Sequence, residues 1–342
     1  MLKLPYATGG LPGIGGSIRE LSADFVVEEV PAFEASGAGE HVFVNLTKRE
    51  VNTRELARSL AALFDLPIAA VGYAGLKDRN SVSTQTFSLH LPDVEPDRLA
   101  DVERLVSAEL PVRVNWIRRH TRKLRTGHLR GNRFTINVTG LEIGVDEAVE
   151  RARAISESLR ERGMPNFYGP QRVDSVNVRN GLEVLKGRRR VRSRWLRRLL
   201  VSSYIDHLCN IYLVRRLEAG GFSRLMEGDI ARKESTGGMF TVEDVEAEQA
   251  RYEAHEISFT APIYGPKMWW ASGPSGELER DVFEDSDITM EELKKFKVLG
   301  SRRLGRLLPE VEVRPIPRGL QLQFFLPKGA YATMVLREFM KG

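Results

Sequence analysis

Apolar positions recur along this chain with two spacings, and each spacing predicts a kind of element. Alternation predicts strands at Phe25–Val30, at Glu40–Leu46 with Val42, Val44 and Leu46 on one half-buried face, at Thr86–Leu91, at Gly131–Val138 and at Leu320–Leu326. Helical spacing appears in Leu56, Leu60, Leu63 and Phe64, after an Asn52 able to cap the helix with Glu55 at its third position. It appears again in Ala148, Val149, Ala152, Ile155 and Leu159, with Gly163 as the stop. A third helix runs on from the basic run Lys186–Arg198 through Leu200, Tyr204, Leu208 and Ile211, and Gly329–Phe339 reads as a closing helix. The helix over Asn52–Phe64 reads as scaffold. Between it and Thr86, the stretch Tyr73–Gln85 reads as a loop.

Composition adds bounds. With 342 residues, 42% hydrophobic and 28% charged, the chain suits two soluble globular domains, and no apolar run is long enough for a bilayer. The opening MLKLPYATGGLPGIGG lacks the apolar core of a signal peptide and reads as a flexible arm, so a cytoplasmic protein is expected. Its glycines follow no strand and do not fit a dinucleotide loop. The single cysteine, Cys209, excludes an internal disulfide and reads as a core filler. Six histidines occur at no metal-ligand spacing, so no metal is expected. A formal charge of +5 points to a polyanionic partner, with cations densest in Arg113–Gly131 and Lys186–Arg198. The first of these could track a phosphate backbone or be a solvated hairpin or helix face.

The chemistry concentrates in YAGLKDRNSVSTQ, residues 73–85, where Asp78 stands between Lys77 and Arg79. Cations beside a carboxylate favour its charged form, as a nucleophile or base requires. A solvated Lys-Asp-Arg turn has the same local pattern. This stretch resembles the signature of the TruD family of tRNA pseudouridine synthases, a Gly-x-Lys-Asp segment with a Thr-x-Gln-like tail. Four other segments resemble the family in the same order. They are Arg19 followed by the Asp-Phe-x-Val-x-Glu run from Asp24, Asn132-x-Phe134, Pro165–Arg172, and Pro327, Gly329, Tyr331, Ala332 and Thr333. Arg19 stands where the family commonly has Lys, and Val173 where it usually has Phe; Tyr168 is a substitute for the missing ring. His41 matches a Gly-Glu-His motif, although a structural histidine fits it as well.

The resemblance implies an α+β fold with a mixed, mostly antiparallel pseudouridine synthase-type sheet flanked by helices. It divides the chain into a catalytic domain, residues 1–173 and 307–342, and an inserted RNA-binding TRUD domain of α/β type, residues 174–306. It implies isomerisation of a tRNA uridine to pseudouridine, at position 13 of the D arm and often in a glutamate tRNA, with no cofactor. Asp78 is then catalytic, by attack on C1′ or removal of the C2′ proton. Arg19, Phe25, Lys77, Asn132, Phe134 and Tyr331 are then substrate-binding. Binding partners other than tRNA are not implied, and a monomer is the default. The competing readings are a non-catalytic RNA-binding or RNA-chaperone protein on the same fold and a DNA-binding protein, although no helix-turn-helix or zinc signature supports the latter.

Overall fold

The computed structural model describes residues 2–341, and the chain divides into two compact units. Of the described residues, one comprises 12–156, 310–329 and 339–341; the other comprises 2–11, 157–309 and 330–338. The mixed helices and mostly antiparallel sheets are those of the expected α+β class.

The first unit is built on a nine-stranded sheet. Its strands include β1 (Ser17–Ile18), β2 (Phe25–Pro31), β3 (His41–Arg49), β4 (Val71–Tyr73), β5 (Val82–His90), β6 (Val112–His120) and β7 (Leu129–Thr139). From one edge the order is Glu312–Ile316, Gly319–Pro327, β7, β2, β5, β3, β6, with β1 added to β7 and β4 to β5. All pairings are antiparallel except β2 with β5. Helices α1 (Thr53–Leu63) and α2 (Leu99–Glu109) supply Leu56, Leu60, Val102 and Val106 to a core with Val42, Val44, Leu46, Phe87 and Leu89. Asn52 caps α1 by accepting from the Arg54 N–H at 2.8 Å.

Three expectations are corrected here. The strand at Val42–Leu46 is covered on both faces, because Phe43 packs with Ala74, Leu124 and Leu129 on the side opposite the main core. The stretch 73–85 is a loop only at residues 74–81: Tyr73 ends β4, and Val82–Gln85 open β5. Their polar side chains hide the strand, since Ser83 and Gln85 are fully buried without an apolar alternation to announce them. Nor does the opening arm hang free. Ile14 is buried, its N–H donates to the Phe339 carbonyl at 2.8 Å, and a Cβ at Gly13 would lie 2.8 Å from the Met340 carbonyl oxygen. The basic stretch 113–131 is neither a hairpin nor a helix face: it follows β6 at the sheet edge, passes through residues 121–128 without regular structure and enters β7, with β2, β5 and β3 between the two strands.

The second unit contains the four-stranded sheet Met239–Thr241, Ile230–Lys233, Ile257–Ile263, Ser301–Leu304, in that order. Helix α3 (Val145–Arg162) ends at Gly163 with φ 74°, where a Cβ would press on the Leu307 carbonyl at 2.6 Å. Helices α4 (Ser175–Leu185) and α5 (Arg194–Glu218) follow, and the basic run before Arg194 is not helical. Cys209 is fully buried, and burial pushes its thiol up to about 12. Arg216 of α5 is enclosed with Asp229 in a two-pronged pair at 2.6 Å per bond, lies 3.8 Å over the Phe259 ring, and shares Asp229 with Ser275. Replacing one partner of such a pair strands a charge in the core. Arg216→Met should cost about 3–5 kcal/mol in urea unfolding, and Arg216→Met/Asp229→Leu should recover most of it.

Candidate active site

Asp78 lies in the 74–81 loop with its side chain 61% exposed, and its carboxylate accepts a bond from Arg19 Nη2 at 2.6 Å. The cation facing it thus comes from 59 residues away, and neither sequence neighbour does this work. Arg79 donates to the Glu50 carbonyl. Lys77 turns inward to Glu29 Oε2 at 2.7 Å, with the two side chains only 4% and 2% exposed. Its place beside Asp78 therefore anchors the loop to β2. The same residue's N–H donates to Thr53 Oγ1 of α1, whose hydroxyl in turn reaches Gln85 of β5.

Arg19 holds its position at a cost. Its φ of 64° is left-handed, which costs a side-chain-bearing residue roughly 1–2 kcal/mol. The guanidinium lies 4.0 Å over the Phe25 ring, and Phe25 meets Phe134 edge-on at 6.2 Å. Phe134 stacks in turn on Phe324 at 5.3 Å. Register explains the grouping. In the β2–β7 pairing Phe25 faces Ile136, Val27 faces Phe134 and Glu29 faces Asn132, so these side chains share one sheet face. On that face the Asn132 Oδ1 is buried without a hydrogen-bond partner. Arg19, Phe25, Lys77, Asp78, Asn132 and Phe134 are thereby gathered on one part of the first unit.

Sequence profiles and whole-chain comparisons agree on what this arrangement belongs to. The family described as tRNA pseudouridine synthase D (TruD) matches residues 2–188 and 179–339. A tRNA pseudouridine synthase D of Anaeromyxobacter dehalogenans is 39% identical over 353 residues, covering 100% of this chain and 97% of that one. One from Thermus thermophilus is 41% identical, covering 99% and 92%. The chain belongs to the tRNA pseudouridine synthase D family. It is accordingly an isomerase of the pseudouridine synthase kind. A solved structure assigned to TruD of Methanosarcina mazei superposes with a TM-score of 0.76 at 25% identity, covering 99% of this chain and 96% of that one.

Two TruD segments meet within the second unit. Tyr331 lies 5.7 Å from the Tyr168 ring, and Gln171 donates to Thr333 at 3.0 Å. Arg303 stacks over Tyr168 at 3.8 Å, and Asn210 brackets the same residue by exchanging bonds with its N–H and carbonyl. Arg172 donates to Asp206 at 2.6 Å. Burial raises the Asp206 carboxyl, with the Arg172 charge opposing it, and burial also raises the hydroxyls of Tyr168 and Tyr331. Val173 follows this segment, its N–H bonded to the Gly169 carbonyl. His41 packs against His90 across the β3–β5 pair at 5.0 Å, and burial, aided by that neighbour, lowers its pKa.

Reading by sequence missed Glu29, although it is the last residue of the Asp-Phe-x-Val-x-Glu run. It also missed Lys48, which ends β3 in a polar Thr-Lys-Arg string that looks solvated. Lys48 is 1% exposed, and its ammonium donates to the carbonyls of Val51 at 2.6 Å and Asp78 at 3.1 Å. Ser81 donates to that Asp78 carbonyl as well, at 2.8 Å. Burial first, then the Lys77 charge, lowers Lys48 to about 8, with Asp78 opposing. A lysine depressed in the fold releases its proton more readily there than in the unfolded chain, so its contribution to stability rises between about pH 8 and the ordinary lysine value of 10.5. Urea unfolding from pH 7 to 11 should show the wild type gaining stability relative to Lys48→Met across that window. Parallel curves would remove Lys48 as the titrating group.

Proposed function

We propose that this chain isomerises one uridine of a tRNA to pseudouridine with Asp78 as the reacting carboxylate and no cofactor. The uridine is that at position 13 of the D arm, and a glutamate tRNA is among the substrates. The observation carrying this reading is the Arg19–Asp78 pair. It presents a carboxylate to solvent on a loop whose backbone is fixed by Lys48, Ser81 and the buried Lys77–Glu29 pair. A carboxylate that must meet a ribose embedded in a polyanion needs a cation beside it and a fixed origin, and both are present.

The reaction breaks the C1′–N1 bond, turns the uracil and joins C5 to C1′; C5 then gives up its proton and N1 takes one up, so the product is an isomer of the substrate. Asp78 starts it by attack on C1′ or by taking the C2′ proton. Asn132, with its unpartnered carbonyl oxygen, is suited to accept the uracil N3–H. Phe25 and Phe134 form the apolar side of this site, and Arg19 rather than a base covers the Phe25 face in the free protein. Lys77 serves the substrate through the loop it anchors. Tyr331 as a contact to the target base rests on its family motif. Residues 174–306 act as the RNA-binding insert, supported by Trp195, 56% exposed at the arginine-rich start of α5. The protein works as a monomer in the cytoplasm, where its tRNA is found.

Pseudouridine mapping of tRNA treated with the wild type and with Asp78→Asn tests this. One modified uridine should lose its signal at least ~10³-fold in rate in the variant, the scale of losing a positioned acid, base or nucleophile, with tRNA affinity little changed. Substantial turnover by Asp78→Asn would take the residue out of the mechanism.

A further inference from the structure

A pocket of about 680 Å³ lies in the first unit, and Asp78 is not among the residues that line it. It opens between α1, β4 and the turn after β6, and its walls carry Arg54 and Arg58 from α1 and Lys123 and Arg125 from the turn, with Ile68 and Tyr73 between them. Among the described residues no acidic side chain lines it. The turn is held rather than loose. The Leu124 N–H donates to Ser88 at 3.0 Å, the Gly127 N–H to the Ala74 carbonyl at 2.8 Å, and the Lys123 ammonium to the Ala69 carbonyl. Gly72 permits that closeness, since a Cβ there would stand 2.2 Å from the Leu124 oxygen. A fixed turn and a capped helix therefore aim their cations into one concavity whose apolar wall is ring and aliphatic carbon.

We infer that this pocket binds a segment of the tRNA sugar-phosphate backbone away from the reacting uridine. The cations take the phosphates, and Tyr73 with Ile68 takes the sugar or an unpaired base. The lining carries four cationic side chains and no acidic one, and a polyanion seated there releases its counterions as its phosphates are neutralised. The volume suits a nucleotide unit with its flanking phosphates. This rests on tRNA being the substrate, as proposed above, and it gives α1, scaffold by its sequence, a second role.

Arg58 and Arg125 are both exposed, so Arg58→Glu/Arg125→Glu should fold normally. The comparison variant Arg98→Glu/Arg104→Glu makes the same charge change at the start of α2, where both arginines pair with Asp101. For the pocket variant the slope of log affinity against log salt for tRNA should fall by about 2, and KM should rise at least roughly tenfold with kcat nearly unchanged. The comparison variant should resemble the wild type. An unchanged slope, an equal loss in the comparison variant, or tight ATP binding that only the pocket variant loses would each overturn the inference, the last by making the pocket a free-nucleotide site. A wild type that forms no pseudouridine, beside a pocket variant that still loses tRNA, would overturn the functional reading and leave the pocket standing.

Discussion

The buried bond between Lys77 and Glu29 is the constraint on which the loop carrying Asp78 depends. Taking both charges out of water costs several kcal/mol, and the pair is tolerable only because its geometry is close and its surroundings are hydrogen-bonded. Glu29 also accepts from the Thr86 N–H, and the Lys77 backbone is tied to Thr53. The result is a loop fixed to a helix and to two adjacent strands through one residue. The next residue faces the other way, into solvent, and it is the carboxylate. A flexible loop would have had to find that geometry in each encounter; here it exists before substrate arrives.

Charge is handled differently inside and outside. Within the second unit Arg216 and Arg302 are spent on Asp229 and Glu279, both pairs being almost completely enclosed. These arginines organise the core and are invisible to a ligand. Elsewhere the exposed carboxylates hold cations in surface pairs such as Arg98–Asp101 and Arg160–Glu157, which contribute little to stability. What is left over carries the modest positive formal charge, and it is concentrated where carboxylates are lacking. A small net charge therefore coexists with locally strong fields.

The long strands β2, β3, β7 and Gly319–Pro327 and the helices α1, α3 and α5 were legible from apolar spacing, because elements such as β7 and α3 bury a regular face. Helices α2 and α4 and the four-stranded sheet of the second unit were not. Nor was the start of β5, since its buried positions are Ser83 and Gln85. At the site, Asp78, Asn132 and Phe134 could be singled out by their motifs. The work of their supports could not, because it depends on partners distant in sequence: Lys77 meets Glu29 across 48 residues and Arg19 meets Asp78 across 59. Lys48 looked like the frayed polar end of a strand, and Arg54 and Arg58 like the wet side of a helix. In each case local pattern describes a side chain's neighbours along the chain, whereas its role is set by neighbours across the sheet.

The place of β2 in the sheet also fixes what the Arg19–Asp78 pair depends on. Its two neighbours are β5 and β7, and β1, which leads into Arg19, pairs only with β7. On a growing chain the arginine is made well before the aspartate it will hold, yet the strand that seats it is made after both. The pair therefore joins two residues whose common support in the folded sheet lies C-terminal to both. The signature stretch 73–85 does not contain the cation that faces its carboxylate; that cation is borrowed from a part of the unit that only the closed sheet brings near.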